Sequence, residues 1–380
     1  MKHEKFPTET GTFMKPALTR TPQDLVSVSD YARYAREFMT PAIYDYIAGG
    51  GADEVSLKRN RTLFEKWAIV PRVLRNVTQG GTQTSLLDEA LRHPILLAPV
   101  AFQKMVYPQG ELATLEAADC LDTKMVVSTL ATVDMETLAQ ASSEKHWFQL
   151  YFQADRRFTQ SLVERAEAAG YSKLVVTIDA PLHGIRNRAQ RAGFVLPEGI
   201  EAVNLTQRPP LPRKVLSPSE SIVFQGMMTE APTWEDIDWL LSVAKLPVVL
   251  KGILHPDDAL IAKAKGIAGI IVSNHGGRAL DCVPGGLDML PFIRQSLGED
   301  YPILLDGGIE RGTDIFIALA LGANAVMIGR PQVYALAVAG ALGVASVLRI
   351  LREELEVCMA LAGVESISDI SRDCLMSLDF

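Results

Sequence analysis

The sequence predicts an α/β protein: a closed (β/α)8 barrel of the TIM type, with an N-terminal helical cap and a long insertion after the fourth strand. Three observations carry this. From Pro94 onward, short runs of Val, Ile, Leu and Met alternate with amphipathic helical stretches, as in βα units on a parallel sheet. The runs number eight and are evenly spaced, which favours a closed barrel over a doubly wound sheet. Polar residues stand just beyond nearly every run, where a barrel gathers its working groups.

Residues 1–26 mix Lys, His, Glu, Thr and Pro without an apolar core, so they read as a mobile arm and not as a signal peptide. Residues 27–380 form one domain. Ser27 to Met39 has helical spacing, with Ser29 or Asp30 as candidate cap. After Pro41 a second helix is stopped by Gly49-Gly50-Gly51. Residues 53–66 again read as helical, and 67–92 as short strands and turns placed before the repeat. The eight runs are Ile95–Ala98, Met125–Val127, Trp147–Leu150, Leu174–Ile178, Pro247–Leu250, Gly269–Val272, Ile303–Leu305 and Ala325–Ile328. Helices are expected between them, for example over Glu111–Leu121, Arg157–Ala169, Trp234–Ala244, Pro256–Lys265 and Thr313–Leu321, with a helical tail from Tyr334 to Leu361. The gap from Ala180 to Leu246 is out of scale, and its portion 180–232 reads as a lid-like insertion. It starts basic (Arg186, Arg188, Arg191), and its Arg208–Ser219 stretch holds four prolines and three basic residues.

The chain has 380 residues, 48% hydrophobic and 22% charged, which fits a soluble globule with a large core. A net charge of −8 weighs against nucleic acid as a partner. Four cysteines at scattered positions form neither a disulfide framework nor a zinc site, and fit a reducing cytoplasm. The longest nearly apolar run, Val333 to Ser346, is broken by glycines and falls short of the roughly 18 residues of a membrane span, so no membrane partner is expected.

The chemistry concentrates in Ser273-Asn274-His275-Gly276-Gly277-Arg278-Ala279-Leu280-Asp281, directly after the sixth run. His275 can take a proton near neutral pH. Arg278, three residues on, can grip a carboxylate with two parallel bonds. Together they suit removing hydrogen from a carbon beside a carboxylate. The other strand ends supply Pro99-Val100-Ala101, Ser128, Gln149 and Tyr151, Thr177 and Asp179, Lys251, Asp306-Gly307-Gly308 and Gly329-Arg330. A ring of Ser, Gln, Thr and Lys suits a flat heterocycle with amide-like edges, and the glycines before Arg330 suit a phosphate at a helix N-terminus. A buried lysine is costly without a function, and Lys251 beside a flavin would balance negative charge on the reduced ring. No metal-ligand cluster is expected, since such a cofactor would carry the redox chemistry.

On these residues the chain resembles the FMN-dependent L-2-hydroxy acid oxidases and dehydrogenases, among them glycolate, lactate, mandelate and hydroxymandelate oxidases. The likeness runs from about Val28 to Gly363 and includes Tyr44-Asp45-Tyr46, Trp147-Phe148-Gln149-Leu150-Tyr151, Thr177-Ile178-Asp179 and Ile328-Gly329-Arg330-Pro331. The resemblance implies His275 as base, with Asp179 pairing its imidazolium and flavin N5 receiving the hydrogen. It implies Arg186 and Arg278 on the substrate carboxylate, and Tyr46 and Tyr151 on the carboxylate and hydroxyl region. FMN would meet Pro99, Val100, Ala101, Ser128, Gln149, Thr177, Lys251 and Ser273, with its ribityl and phosphate at Asp306, Gly307, Gly308, Gly329 and Arg330. The implied partners are a small 2-hydroxy acid, then O2 or another acceptor, within a homotetramer. His93, His146, His183 and His255 have no such company and read as surface or turn residues.

Two positions depart from the family. Glu310 stands where an Arg usually meets the phosphate, with Arg311 next, and Ala279 stands where Gln is frequent. A carboxylate facing a phosphate weakens binding. Either Glu310 turns away, or Arg311 compensates, or FMN is held loosely. Leu130 resembles the lactate and aryl-acid members more than glycolate oxidase, and Ala101 leans to an oxidase over a dehydrogenase. The rival readings are an FMN-dependent prenyl diphosphate isomerase, which would lack the Arg186–Arg278 pair, and a non-catalytic flavin-binding protein, which only Glu310 favours.

Overall fold

The computed structural model describes residues 13–209 and 215–378. Helices α1 (Val28–Phe38), α2 (Pro41–Ala48) and α3 (Val55–Thr62) come first, then strand β1 (Trp67–Ile69) and the hairpin β2 (Thr84–Leu86) and β3 (Glu89–Leu91). The repeat then runs β4 (Ile95–Leu97), α4 (Glu111–Cys120), β5 (Val126–Ser128), α5 (Met135–Ala141), β6 (Trp147–Leu150), α6 (Arg156–Ala169) and β7 (Lys173–Thr177). After the insertion, which holds α7 (Asn187–Arg191), come α8 (Trp234–Val243), β8 (Val248–Ile253), α9 (Pro256–Ala264), β9 (Gly269–Val272), α10 (Gly286–Leu297), β10 (Ile303–Asp306), α11 (Gly312–Ala320), β11 (Ala325–Ile328) and α12 (Arg330–Ala362). Strand β12 (Leu375–Ser377) returns to pair antiparallel with β1.

Strands β4 to β11 form one parallel sheet in the order β4-β11-β10-β9-β8-β7-β6-β5. The ring closes between β4 and β5 through a single parallel bridge, Leu97 to Met125, with the Leu97 N–H donating to Lys124 O at 2.9 Å. The expected closed barrel is thus present, with its seam held by minimal pairing.

The strands read as unbroken apolar runs because both of their faces are buried. Leu96, Val126, Trp147, Val175, Val249, Ile271, Leu304 and Ala325 point into the barrel and form one core. Their neighbours in the opposite phase, such as Ile95, Phe148, Leu174 and Ile270, pack against the helices in a second core. The β2–β3 hairpin plugs the barrel floor: Leu86 and Leu91 join the inner core. The Glu89 carboxylate accepts from Trp147 Nε1 at 3.2 Å and from Lys173 Nζ at 2.9 Å.

The helix α12 is long and apolar enough to cross a membrane by length and composition alone, but 72% of its apolar window is buried inside the fold. It is broken at Ala339 and Gly340, where the backbone leaves helical geometry.

Three expectations need correction. The arm is not free of packing: within 13–26, Phe13 bridges to Met39, the Leu18 N–H donates to Val338 O, and Leu25 is buried. These apolar residues are too widely and irregularly spaced to give a periodic signal; residues 1–12 lie outside the described residues. The cap of α1 is Ser27, not Ser29 or Asp30. Asp30, at the third helical position, reaches back to accept from the Ser27 N–H and Oγ–H, both at 2.8 Å. His93 and His146 are buried, not superficial. His93 Nε2 lies 3.2 Å from Leu121 O, and His146 accepts from the Met125 N–H and lies 2.9 Å from Asp119, so both hold loops through backbone bonds.

The floor pair yields a prediction. Glu89→Ala would leave the Lys173 ammonium buried without its partner, at a cost on the order of 3 kcal/mol in chemical denaturation. Burial would raise the Glu89 pKa, but the bonds from Lys173, Ser172 and Trp147 hold it below the ordinary value. Its contribution is therefore present above the unfolded pKa and lost as pH falls through the folded one. Glu89→Ala should lose this acid-side dependence; an unchanged denaturation midpoint would contradict the assignment.

Candidate active site

The inward phase of each strand continues past the hydrophobic plug to the barrel mouth. Two residues beyond the plug stand Ser128, Gln149, Thr177, Lys251, Ser273 and Asp306, and two beyond some of these stand Tyr151, Asp179 and His275. They meet at a cavity of about 850 Å³. Its wall includes Tyr46, Pro99, Val100, Ala101, Ser128, Gln149, Tyr151, Thr177, Arg186, Lys251, His275, Arg278, Asp306, Gly307, Gly308, Gly329 and Arg330. Of the residues expected at the site, Asp179 and Ser273 alone do not line it. They stand behind the wall, against His275 and Lys251. Both arms of the insertion contribute wall residues, among them His183, Leu205, Arg208, Met227 and Glu230. Residues 210–214, within the Pro-rich stretch, lie outside the described residues.

His275 sits in the left-handed region at φ 58, followed by Gly276 at 61 and Gly277 at 68. A non-glycine residue pays strain there, so the loop is held by its surroundings. Ser273 Oγ accepts the His275 N–H at 2.9 Å, and Asn274 Oδ1 accepts the Gly277 N–H at 2.9 Å. Asn274 and Asn60 of α3 exchange two side-chain hydrogen bonds of 2.8 Å. His275 Nδ1 lies 2.8 Å from Asp179 Oδ1, which leaves Nε2 for a ligand. Burial would raise the Asp179 pKa, but Lys251 and His275 hold it below the usual carboxylate range. Asp179 can sit there because residue 252 is Gly: a Cβ on it would come within 2.5 Å of the Asp179 side chain.

A second cluster is cationic. Arg278 Nη1 donates to the carbonyls of Tyr46, Ile47 and Gly49, each at 2.9 Å. Arg330 donates to Ile47, Gly49 and Gly276 carbonyls. Burial and the neighbouring Arg186 and Arg330 push the Arg278 pKa down, yet a guanidinium keeps its proton at neutral pH. Arg186 Nε is buried and has no partner among the described residues. Arg186 and Arg278 lie 5.5 and 5.2 Å from the centroid of the Tyr46 ring, which Phe194 of the insertion stacks upon at 4.0 Å. Positive charge packed together without a carboxylate partner calls for an anion. Arg330 lines the cavity beside Gly329, and its side-chain bonds staple the end of α2 to the His275 loop.

Lys251 is buried between carboxylates: its Nζ lies 2.8 Å from Asp306 and donates to Ser273 Oγ at 2.9 Å. Burial alone would lower its pKa, but Asp306 and Asp179 raise it, so it is a cation. Gln149 Oε1 accepts from Ser128 Oγ and the Thr129 N–H, while its Nε2 is buried with no partner among the described residues. An unpaired amide donor, a buried ammonium and a hydroxyl around one cavity fit the edge of an isoalloxazine ring. The glycines at 307, 308 and 329 fit the close approach of a phosphate. Gly308 is also pressed against α3, where a Cβ would come within 2.1 Å of Asn60 O.

The departures are resolved in part. Arg311 does not face the cavity; it pairs with Glu354 on α12 at 3.1 Å. Glu310 does line the cavity. Residues without a sequence signal also matter here: Asn60 and Arg61 from α3, Phe194, and His183, which is exposed as expected and also lines the cavity.

Asn60→Ala should cost about 1–3 kcal/mol, because it leaves the buried Asn274 amide short of two partners. Denaturation midpoints of the parent and the variant, taken at equal flavin loading, check this. Equal midpoints would show that the amide pair does not hold the loop.

The sequence matches the FMN-dependent dehydrogenase family over residues 35–377. It is 48% identical over 357 residues to the L-lactate oxidase of Alicycliphilus denitrificans, covering 94% of this chain and 98% of that protein. It is 40% identical over 358 residues to glycolate oxidase 5 of Oryza sativa subsp. japonica, covering 92% and 95%. A crystal structure of mandelate oxidase with (S)-2-phenylpropionate superposes with a TM-score of 0.84 at 39% identity, covering 93% of this chain and 98% of that one. The chain belongs to the FMN-dependent dehydrogenase family, as a 2-hydroxy acid oxidase that uses FMN as its cofactor.

Proposed function

We propose that this protein oxidises a small L-2-hydroxy acid with an apolar side group to the 2-oxo acid and passes the electrons to O2, giving H2O2. Lactate is the first candidate and mandelate-sized acids the second. The observation that carries this reading is the convergence of His275, backed by Asp179 at 2.8 Å, with Arg186 and Arg278 on one cavity wall. The similarity to a protein named L-lactate oxidase supports lactate. Leu130, Leu205 and Met227 on the same wall support an apolar group on the α-carbon. The four cysteines are free, which supports a reducing compartment, and the family supports homo-oligomeric assembly.

Arg186 and Arg278 hold the carboxylate, and Tyr46, packed against both, adds its hydroxyl. This fixes the α-carbon and the hydroxyl relative to His275. His275 Nε2 takes the hydroxyl proton, and Asp179 stabilises the resulting imidazolium through Nδ1–H. Burial pushes the Tyr151 hydroxyl up to about 12, so it stays a hydrogen-bond donor to the substrate oxygen. Lys251, held cationic by Asp306, places fixed positive charge at the cofactor end of the cavity. Residues such as Gln149, Thr177 and Lys251 would hold FMN, which would supply the acceptor for the two electrons that leave the α-carbon.

The test is anaerobic mixing of the FMN-loaded protein with L-lactate, mandelate, 4-hydroxymandelate and glycolate, followed by air. Loss of flavin absorbance with lactate or mandelate, then recovery with stoichiometric peroxide, is expected. Reoxidation by a dye but not by air would favour the dehydrogenase alternative. His275→Gln should keep the bound yellow flavin and lose roughly 10²–10⁴-fold in the rate of bleaching. Bleaching at the parent rate would remove His275 from the role of base.

A further inference from the structure

The part of the cavity built from Gly307, Gly308, Gly329 and the N-terminus of α12 holds a carboxylate with no ion-pair partner of its own among the described residues. Glu310 lines this part. Its own backbone N–H donates to Asp314 at 2.9 Å, but among the described residues its side chain has no hydrogen bond or ion pair. The groups that face it are charged. Arg61 from α3 is committed to Asp314 of α11, with bonds through both Nη1 and Nη2, and also donates to Gly308 O. Arg330 at the start of α12 is committed to carbonyls of Ile47, Gly49 and Gly276. Glu310 in turn helps burial to raise the pKa of Tyr334, one turn further along α12. Arg311 is turned away to Glu354. With Glu310 ionised, two guanidinium groups therefore face two carboxylates, and this part of the cavity has no net positive charge to offer a phosphate. With Glu310 protonated, the balance is one positive charge and the carboxyl becomes a hydrogen-bond donor.

We propose that Glu310 makes retention of the FMN phosphate proton-dependent: the cofactor binds tightly when Glu310 carries a proton and is released more readily when it does not. Burial supports this, since it raises the Glu310 pKa despite the nearby Arg61 and Arg330. The sign follows from this direction. Binding of a phosphate takes up a proton at Glu310, so affinity is greatest below the raised pKa of the free protein and falls as pH increases through it. The phosphate's own second ionisation, with a pKa of about 6, adds to the repulsion in the same direction. Riboflavin has no phosphate and escapes both effects. The consequence is a protein whose holo fraction depends on pH at limiting FMN, although the ring end of its site does not.

The experiment measures flavin affinity by fluorescence quenching of FMN and of riboflavin from about pH 4.5, the ordinary carboxyl value, up to about pH 8.5, on the refolded or dialysed apoprotein, for the parent, Glu310→Gln and Glu310→Arg. It uses no turnover. For the parent, FMN affinity should fall by roughly tenfold or more across the range, the scale of a like charge placed close to a titrating group. Glu310→Gln should bind FMN about tenfold more tightly at pH 8.5 and show a shallower pH dependence, and Glu310→Arg should bind more tightly still. Riboflavin affinity should change little with pH or with either variant. FMN affinity that is flat with pH in the parent, or unchanged in Glu310→Gln, would overturn the proposal. Loss of riboflavin and FMN binding together in a variant would mean misfolding, and far-ultraviolet circular dichroism with the conservative Glu310→Gln separates that outcome. Failure of the parent to bind either flavin at any pH would count against the flavin site itself, a result distinct from a flat FMN curve.

Discussion

The two-residue alternation of side chains along a strand is the constraint on which the site depends. In β6 the phase that buries Trp147 in the barrel delivers Gln149 and Tyr151 to the mouth, and in β7 the phase of Val175 delivers Thr177 and Asp179. A slip of one residue in β8 would send Lys251 into the helix layer and Leu250 into the cavity. The hydrophobic plug and the polar mouth are therefore one structural decision. Packing below sets the register, and the register sets which side chains meet a ligand above.

Charge is distributed unevenly around that mouth. Lys251 is matched by Asp306 and Asp179, and such a buried cation serves as a fixed, local electrostatic element. The guanidinium groups of Arg186 and Arg278 have no such carboxylates and are satisfied by backbone carbonyls or left short. The first arrangement is balanced in charge without a ligand; the second is balanced by an anion. This difference separates the part of the wall suited to a neutral ring from the part suited to a carboxylate.

Much of this was legible in the sequence, because the signals were local. Unbroken apolar runs marked strands buried on both faces, and the residues just beyond them marked the mouth. The His275 loop was legible because its histidine, glycines and arginine lie side by side. Asn60 and Arg61 were not, since their partners are more than two hundred residues away and neither lies in a pattern. His93 and His146 were misplaced for a related reason: a histidine that satisfies itself on nearby backbone looks in sequence like any loop histidine. The insertion gave composition without geometry, so the stacking of Phe194 on Tyr46 could not be anticipated.

The carbonyls of Ile47 and Gly49 are shared by Arg278 from one barrel loop and Arg330 from another, and Tyr46 lies in the same short segment. The eight-fold repeat is thus not a self-sufficient catalyst. A minimal barrel trimmed to begin at Pro94 would lose its floor plug and, with it, the tyrosine and the backbone ledge that both guanidinium groups rest on. What looks in sequence like a preface to the enzyme is one wall of its reaction chamber.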